Sequence, residues 1–188
     1  VLFGGILLAF GHLLMAVEGN GGQGDPTINV FWLALSFIIV GSGFLKANIS
    51  VIVGQLYRLT DVRRDGAYTI FYVGVNVGSA LGTILVGYLG ETVGWGYGFG
   101  LAGIGMVCGL IIFVIGKPAL RGRGEPPDPA RLAAPAMGLK LEALLYTVGL
   151  LAVFAIWGLI QFQDAIGWLL LASGVVLLLY VLVEAFKY

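Results

Sequence analysis

Apolar residues run along this chain in six long blocks, residues 1–17, 30–57, 67–89, 97–116, 143–160 and 165–183. Polar and charged positions gather between the blocks and do not alternate through them. A block of about 17–25 apolar residues is what a helix needs to cross the hydrocarbon core of a bilayer. Strands of a membrane barrel would be about 10 residues long and would alternate in polarity, which these blocks do not. The pattern predicts an all-α membrane protein with six transmembrane helices.

The connections between blocks predict sidedness. Nine of the ten Lys and Arg residues lie in every second connection. Arg58, Arg63 and Arg64 follow the second block. Lys117, Arg121, Arg123, Arg131 and Lys140 follow the fourth, and Lys187 follows the sixth. The connections EGNGGQGDPTIN, GETVGWG and QFQDAIG carry no basic residue. Basic loops stay in the cytoplasm, so loops 58–66 and 117–140 are expected there. The first block then runs outward and the sixth ends inside.

The segment KPALRGRGEPPDPARLAAPAMGLK is rich in Pro, Gly and charge and reads as a flexible linker. It divides the chain into a four-helix part, 1–116, a cytoplasmic linker, 117–140, and a closing helical hairpin, 141–188. The chain opens on VLFGGILLAF, without Met or a charged lead-in. That start reads as a cut made inside a helix, and the chain as a fragment of a longer protein.

Composition agrees with the hydropathy pattern. The chain is 59% hydrophobic and 11% charged, where soluble domains carry about 25% charge. Its net charge of zero offers no basic field for nucleic acid. The single cysteine, Cys108, has no second cysteine to bridge and no His, Asp or Glu cluster around it to hold a metal. No nucleophile–base pair and no phosphate-binding loop is visible, so neither enzyme chemistry nor a cofactor is expected. No obligate protein partner is evident.

One basic residue breaks the loop pattern. Lys46 stands inside the second block, in GSGFLKANIS, where a charge costs about 2.5–3.5 kcal/mol on insertion scales. Ser42 and Ser50 lie one turn before and after it, on the same helix face. A lysine so placed can bind an anionic group or change protonation during a cycle; the plainer alternative is a structural pair with a carboxylate. Asn76 sits mid-block in YTIFYVGVNVGSALGTILVGYLG, with Tyr72 one turn earlier. Together they offer a hydroxyl, a carbonyl and an NH2 group to one cavity, or alternatively an interhelical packing bond.

Gly74, Gly78 and Gly82, and Gly105 with Gly109, form small-xxx-small steps expected to support tight helix contact. Gly74 and Gly78 are expected to neighbour Asn76. His12 reads as a polar helix contact, with proton relay the alternative. Glu18, Asp25 and Glu91 read as solvated charges, and Asp61 and Asp65 as local partners of Arg63 and Arg64.

The stretches GSGFLKANIS, RRDGAYTIFYVGVNVGS and WGYGFGLAGIGMVCGL, in this order, resemble the proton-dependent oligopeptide transporters, peptide symporters of the major facilitator fold. The family pattern Phe-Tyr-x-x-Ile-Asn-x-Gly stands here as Phe71, Tyr72, Val73, Gly74, Val75, Asn76, Val77, Gly78. Where the family usually has Lys-Pro-Asn, this chain has Lys46, Ala47 and Asn48. The closing pair, ending LYVLVEAFKY, is similar to the two helices that bacterial members insert between their halves.

The resemblance implies that the blocks are helices three to six of the amino-terminal bundle plus the inserted hairpin. It implies symport of di- and tripeptides with protons across the bacterial inner membrane by alternating access. Lys46 would bind the peptide carboxylate and take part in proton coupling. Asn76 would hydrogen-bond the peptide backbone, and Tyr72 would line the same cavity. The family's Glu-x-x-Glu-Arg-Phe helix would supply Lys46 with its carboxylate. Two other readings remain open from the residues: a major facilitator carrier of nitrate or drugs, and a non-transporting membrane protein whose Lys46 is structural.

Overall fold

The structure, a computed structural model, describes residues 1–17, 27–126, 128–136 and 139–185. Glu18, Asp25 and Lys187 lie outside the described residues. The helices are α1 (Leu2–Ala16), α2 (Ile28–Gln55), α3 (Arg63–Thr92), α4 (Trp95–Gly116), α5 (Pro129–Ala133), α6 (Leu141–Gln161) and α7 (Gln163–Ala185). A two-residue antiparallel pair, β1 (Pro135–Ala136) with β2 (Leu139–Lys140), is the extended structure among the described residues.

Five helices, α2, α3, α4, α6 and α7, are long and apolar enough to cross a membrane. Helix α1 is apolar but has 15 residues. Of the six expected spans, five are thus found at spanning length among the described residues.

Helix α3 starts at Arg63, ahead of its apolar block and inside the stretch read as loop 58–66. The Arg63 N–H donates to Asp61 Oδ1 at 3.0 Å, which takes up one of the donors a helix start leaves unpaired. The Arg63 guanidinium closes on the same carboxylate at 2.9 Å. Asp65, in the first turn, complements the positive end of the helix dipole.

Successive spans run antiparallel, so the connection at 56–62, the segment after α4 and the start of α6 share one end of the bundle. Most of the described Lys and Arg lie at this basic end. Glycine sets how closely the helices meet. A Cβ on Gly4 would sit 2.7 Å from Gly41 O, and one on Gly11 would sit 2.8 Å from Ala34 O. Helices α1 and α2 thus touch backbone to backbone. Gly98 does the same for α4 against Val86 of α3.

The glycines singled out from sequence behave differently. A Cβ on Gly74, Gly78, Gly82, Gly105 or Gly109 would meet nothing within 4 Å. Spacing reveals a smooth helix face, whereas the order of helices in the bundle decides whether a neighbour lies on it. Tight packing at these five positions is not found among the described residues.

The core lies where α1, α2 and α6 meet. Leu7, Val40 and Val153 are buried together, with Phe3, Phe37 and Phe44 packed around them. Gly149 of α6 makes room for the rings of Phe3 and Phe44, which a Cβ would approach to 2.9 and 3.1 Å. At the opposite end, Trp157 Nε1 donates to Asn29 O at 3.3 Å, fastening α6 to α2. Helix α7 differs: none of its span is buried.

The segment after α4 is folded where a flexible linker was expected. A 3-10 turn over Lys117–Leu120 leads into left-handed backbone at Arg121, Gly122 and Gly124. This turn is tied to the end of α2. The Gly124 N–H donates to Gln55 Oε1 at 2.8 Å, and Arg123 Nη1 donates to Leu56 O at 3.2 Å. Carbonyls at a helix C-terminus lack helical partners and attract cations, and Arg123 answers both needs. Lys117 and Glu125 close the turn with an ion pair at 2.7 Å.

Candidate functional site

Lys46 is exposed on α2. The helix advances about 100° per residue, which separates its faces. Gly41 faces α1, and Phe44 packs beside Gly149 of α6. Lys46 falls on the remaining face, with Ser42 and Ser50 one turn to either side. The lysine therefore stands away from both packed surfaces.

Helix α3 meets α2 at the basic end. Tyr68 Oη donates to Ser50 O at 3.3 Å. The Arg64 guanidinium lies over the Tyr68 ring, 5.7 Å from its centroid, in cation–π geometry. Gly54 is small because it must be: a Cβ there would run into the Tyr68 hydroxyl and meet Arg64 Nη2 at 3.2 Å. This clasp sets the register of the two helices. One turn beyond Ser50 on α2 stands Lys46, and one turn beyond Tyr68 on α3 stands Tyr72. Each lies about 6 Å along its own helix from its clasp residue. Asn76 is one further turn away.

Tyr72 and Asn76 are both exposed. Asn76 Nδ2 donates to Tyr72 O at 2.8 Å, so part of its amide is satisfied within the helix and its Oδ1 remains an acceptor for a ligand. Among the described residues, no hydrogen bond or ion pair joins Lys46 to Tyr72 or Asn76. The three are exposed on α2 and α3 without touching. A cavity of about 380 Å³ at the basic end, bordered by Phe44, Ile52, Lys117, Arg123, Glu142 and Tyr146, does not include them. The site is an open wall, not a closed pocket.

Two features escaped the reading from sequence. The first is the clasp, which depends on a contact between residues 18 apart in the chain. The second is a stripe on α3: Tyr68, Thr69, Tyr72, Asn76, Ser79 and Thr83 all fall within a wedge of about 100°. Their spacing of three and four was visible in the sequence. Gly74 and Gly78 lie on nearly the opposite face of α3 and so do not neighbour Asn76 as expected. On α1, His12 Nδ1 is buried without a hydrogen-bond partner among the described residues.

The family described as PTR2: POT family matches residues 1–136. The peptide transporter YePEPT of Yersinia enterocolitica subsp. palearctica is 45% identical over 113 residues, covering 60% of this chain and 21% of the relative. A di-/tripeptide transporter of Lactococcus lactis subsp. cremoris is 35% identical, covering 84% of this chain and 31% of the relative. A crystal structure of a mutant of the peptide transporter POT in complex with alafosfalin superposes with a TM-score of 0.59 at 34% identity, covering 82% of this chain and 30% of that one.

This chain thus spans about a fifth to a third of the length of these relatives. All of them are transporters and none is an enzyme. An all-helical membrane chain with the lysine, tyrosine and asparagine motifs in order belongs with them: it is a member of the POT family.

Proposed function

We propose that this chain forms part of a proton-coupled symporter of di- and tripeptides that works by alternating access. In this reading α1 to α4 are helices three to six of the amino-terminal bundle of a major facilitator fold, and α6 and α7 are the inserted hairpin. The basic end faces the cytoplasm of a bacterium and the helices cross its inner membrane.

The observation that carries the proposal is the placement of Lys46. It stands on an exposed face of a spanning helix, one turn from the Ser50 that Tyr68 of α3 bonds, and no ion pair joins it to a carboxylate among the described residues. An intramembrane charge of this kind is costly unless it meets a counter-charge or water. A peptide carboxylate fits the ammonium, and the peptide backbone fits the amide and phenol of Asn76 and Tyr72. Protonation of a carboxylate on another helix would release Lys46 to the substrate, which couples the proton to binding. Lys46 thereby serves both substrate binding and proton coupling.

The test is uptake of labelled dialanine into liposomes holding the full-length protein, with acid outside. Gradient-driven uptake is expected in the wild type and its loss in Lys46→Ala. Full coupling retained in Lys46→Ala would overturn the lysine's role. Absence of gradient-driven uptake for several di- and tripeptides would return the substrate to nitrate or drugs.

A further inference from the structure

The candidate site draws on α2 and α3 and leaves α6 without a task. Yet α6 holds α2 at three levels. At the end away from the basic loops, Trp157 Nε1 donates to Asn29 O at 3.3 Å and Gln161 Nε2 donates to Asn29 Oδ1 at 3.5 Å. Further along, Val153 is buried with Val40. Nearer the basic end, Gly149 meets the ring of Phe44.

Phe44 stands two residues from Lys46. Two residues turn a helix by about 200°, so the two side chains leave α2 on nearly opposite sides. Helix α6 therefore stands behind the lysine. Asn48 Nδ2 donates to Phe44 O at 2.7 Å, and this bond braces the turn that carries Lys46. A shift at Phe44 is passed to Lys46 through that one turn.

The fit at Phe44 is close. A Cβ on Gly149 would lie 2.9 Å from Phe3 Cε1, 3.1 Å from Phe44 Cε2 and 3.2 Å from Phe44 Cζ. The Phe3 and Phe44 rings meet edge to face with centroids 5.1 Å apart, and the Tyr146 ring of α6 lies 4.8 Å from Phe3. Packed side chains of this kind transmit strain to their neighbours. Only hydrogen at residue 149 leaves both phenylalanines where they are.

We propose that Gly149 is a positioning residue for Lys46: through Phe44, α6 sets where the ammonium stands to meet a peptide carboxylate. The proposal rests on the transport reading for the carboxylate, and on packing alone for the positioning.

The experiment compares Gly149→Ala with Gly158→Ala in the full-length protein in liposomes. A Cβ on Gly158 would meet nothing within 4 Å, so the control adds the same methyl to the same helix without the contact. Ordinary contact begins near 3.4 Å, so Gly149→Ala asks for a shift of about 0.2–0.5 Å. Misplacement by 1 Å can cost about 100-fold, so the apparent KM for dialanine is expected to rise about three- to tenfold in Gly149→Ala. The maximal rate per folded protein is expected to hold. Gly158→Ala is expected to stay within about twofold of the wild type. A merely structural role would lower the amount of folded protein and leave KM alone. In a Phe44→Leu background, which lacks the ring atoms Cε2 and Cζ, Gly149→Ala is expected to change KM by less than about twofold.

Equal KM in Gly149→Ala and Gly158→Ala overturns the proposal. A rise that persists in the Phe44→Leu background overturns the route through Phe44. A second readout needs no transport: Lys46→Cys, in protein otherwise free of cysteine, is treated with a methanethiosulfonate in detergent. Adding Gly149→Ala is expected to change the reaction rate at least about threefold, and adding Gly158→Ala is not. If the wild type takes up no peptide, the transport reading fails by itself and this rate decides the positioning, an unchanged rate overturning it. If Gly149→Ala does not fold, Phe44→Leu takes its place in the thiol readout, and an unchanged rate overturns the proposal in the same way.

Discussion

The contact between α1 and α2 can be probed with one methyl group. In Gly41→Ala the new Cβ would lie 2.7 Å from Gly4 O and 2.7 Å from Leu8 N, both backbone atoms that cannot rotate away. Ordinary contact begins near 3.4 Å, so the helices would have to part by about 0.7 Å along this seam. Parting them loosens the neighbouring packing of Leu7, Val40 and Val153. Overpacking of this kind costs about 1–3 kcal/mol.

Alanine also favours a helix over glycine by about 1 kcal/mol, so a control must carry the same gain without the clash. Gly43 serves, because a Cβ there would meet nothing within 4 Å. The assay is thermal unfolding of the full-length protein in detergent. For a unit of this size, each 1 kcal/mol moves Tm by about 2–4 °C. Gly41→Ala is expected to melt at least about 2 °C below Gly43→Ala, which itself should match or exceed the wild type. Equal Tm values for the two variants would refute the backbone contact.

Two further outcomes follow from the basic end. The Arg63 guanidinium, then the Arg63 amide, bonds to Asp61 and holds its carboxyl below the ordinary carboxylate value. Stability from this bridge is present above the unfolded value, about 3.9, and is lost as pH falls through the depressed folded one. Protection of the Arg63 amide against hydrogen exchange should therefore drop only below about pH 4, and Asp61→Asn should abolish that pH dependence; a flat wild-type profile would contradict the bridge. Gly124 has φ +83 and a Cβ there would lie 2.8 Å from Ile52 Cδ1, so Gly124→Ala should strain the turn by about 1–2 kcal/mol. Trypsin cleavage after Arg121 and Arg123 should then speed about 5–30-fold, and an unchanged rate would mean that the turn is not held in place.

Much of this architecture is legible in the hydropathy pattern, because a helix in lipid must satisfy its own backbone and be apolar outside. The blocks at 30–57 and 97–116 locate α2 and α4 to within two residues. The start of α3 is missed because a carboxylate at Asp61, not an apolar residue, organises its first turn. The turn after α4 reads as flexible because Pro, Gly and charge mark it so. Its order comes from Gln55 and Leu56, 67 to 69 residues away, and no local pattern encodes that.

The glycines teach the same point. Gly4, Gly11 and Gly41 make close backbone contacts with no tighter motif than Gly74, Gly78 and Gly82, which face open space. At the candidate site, residue types and depth can be read from the sequence. The clasp between Tyr68 and Ser50 cannot, since it is a tertiary hydrogen bond.

Helix α7 gives bilayer thickness a structural role. Its span, Ile166–Ala185, has 20 residues and none is buried. At about 1.5 Å per residue it is about 30 Å long, the depth of an average hydrocarbon core. With α6 held to α2 through Val153 and Trp157, no buried contact of that kind fixes the angle of α7 among the described residues. In a thinner membrane it would lean to keep its apolar length covered, while its hairpin neighbour stayed upright.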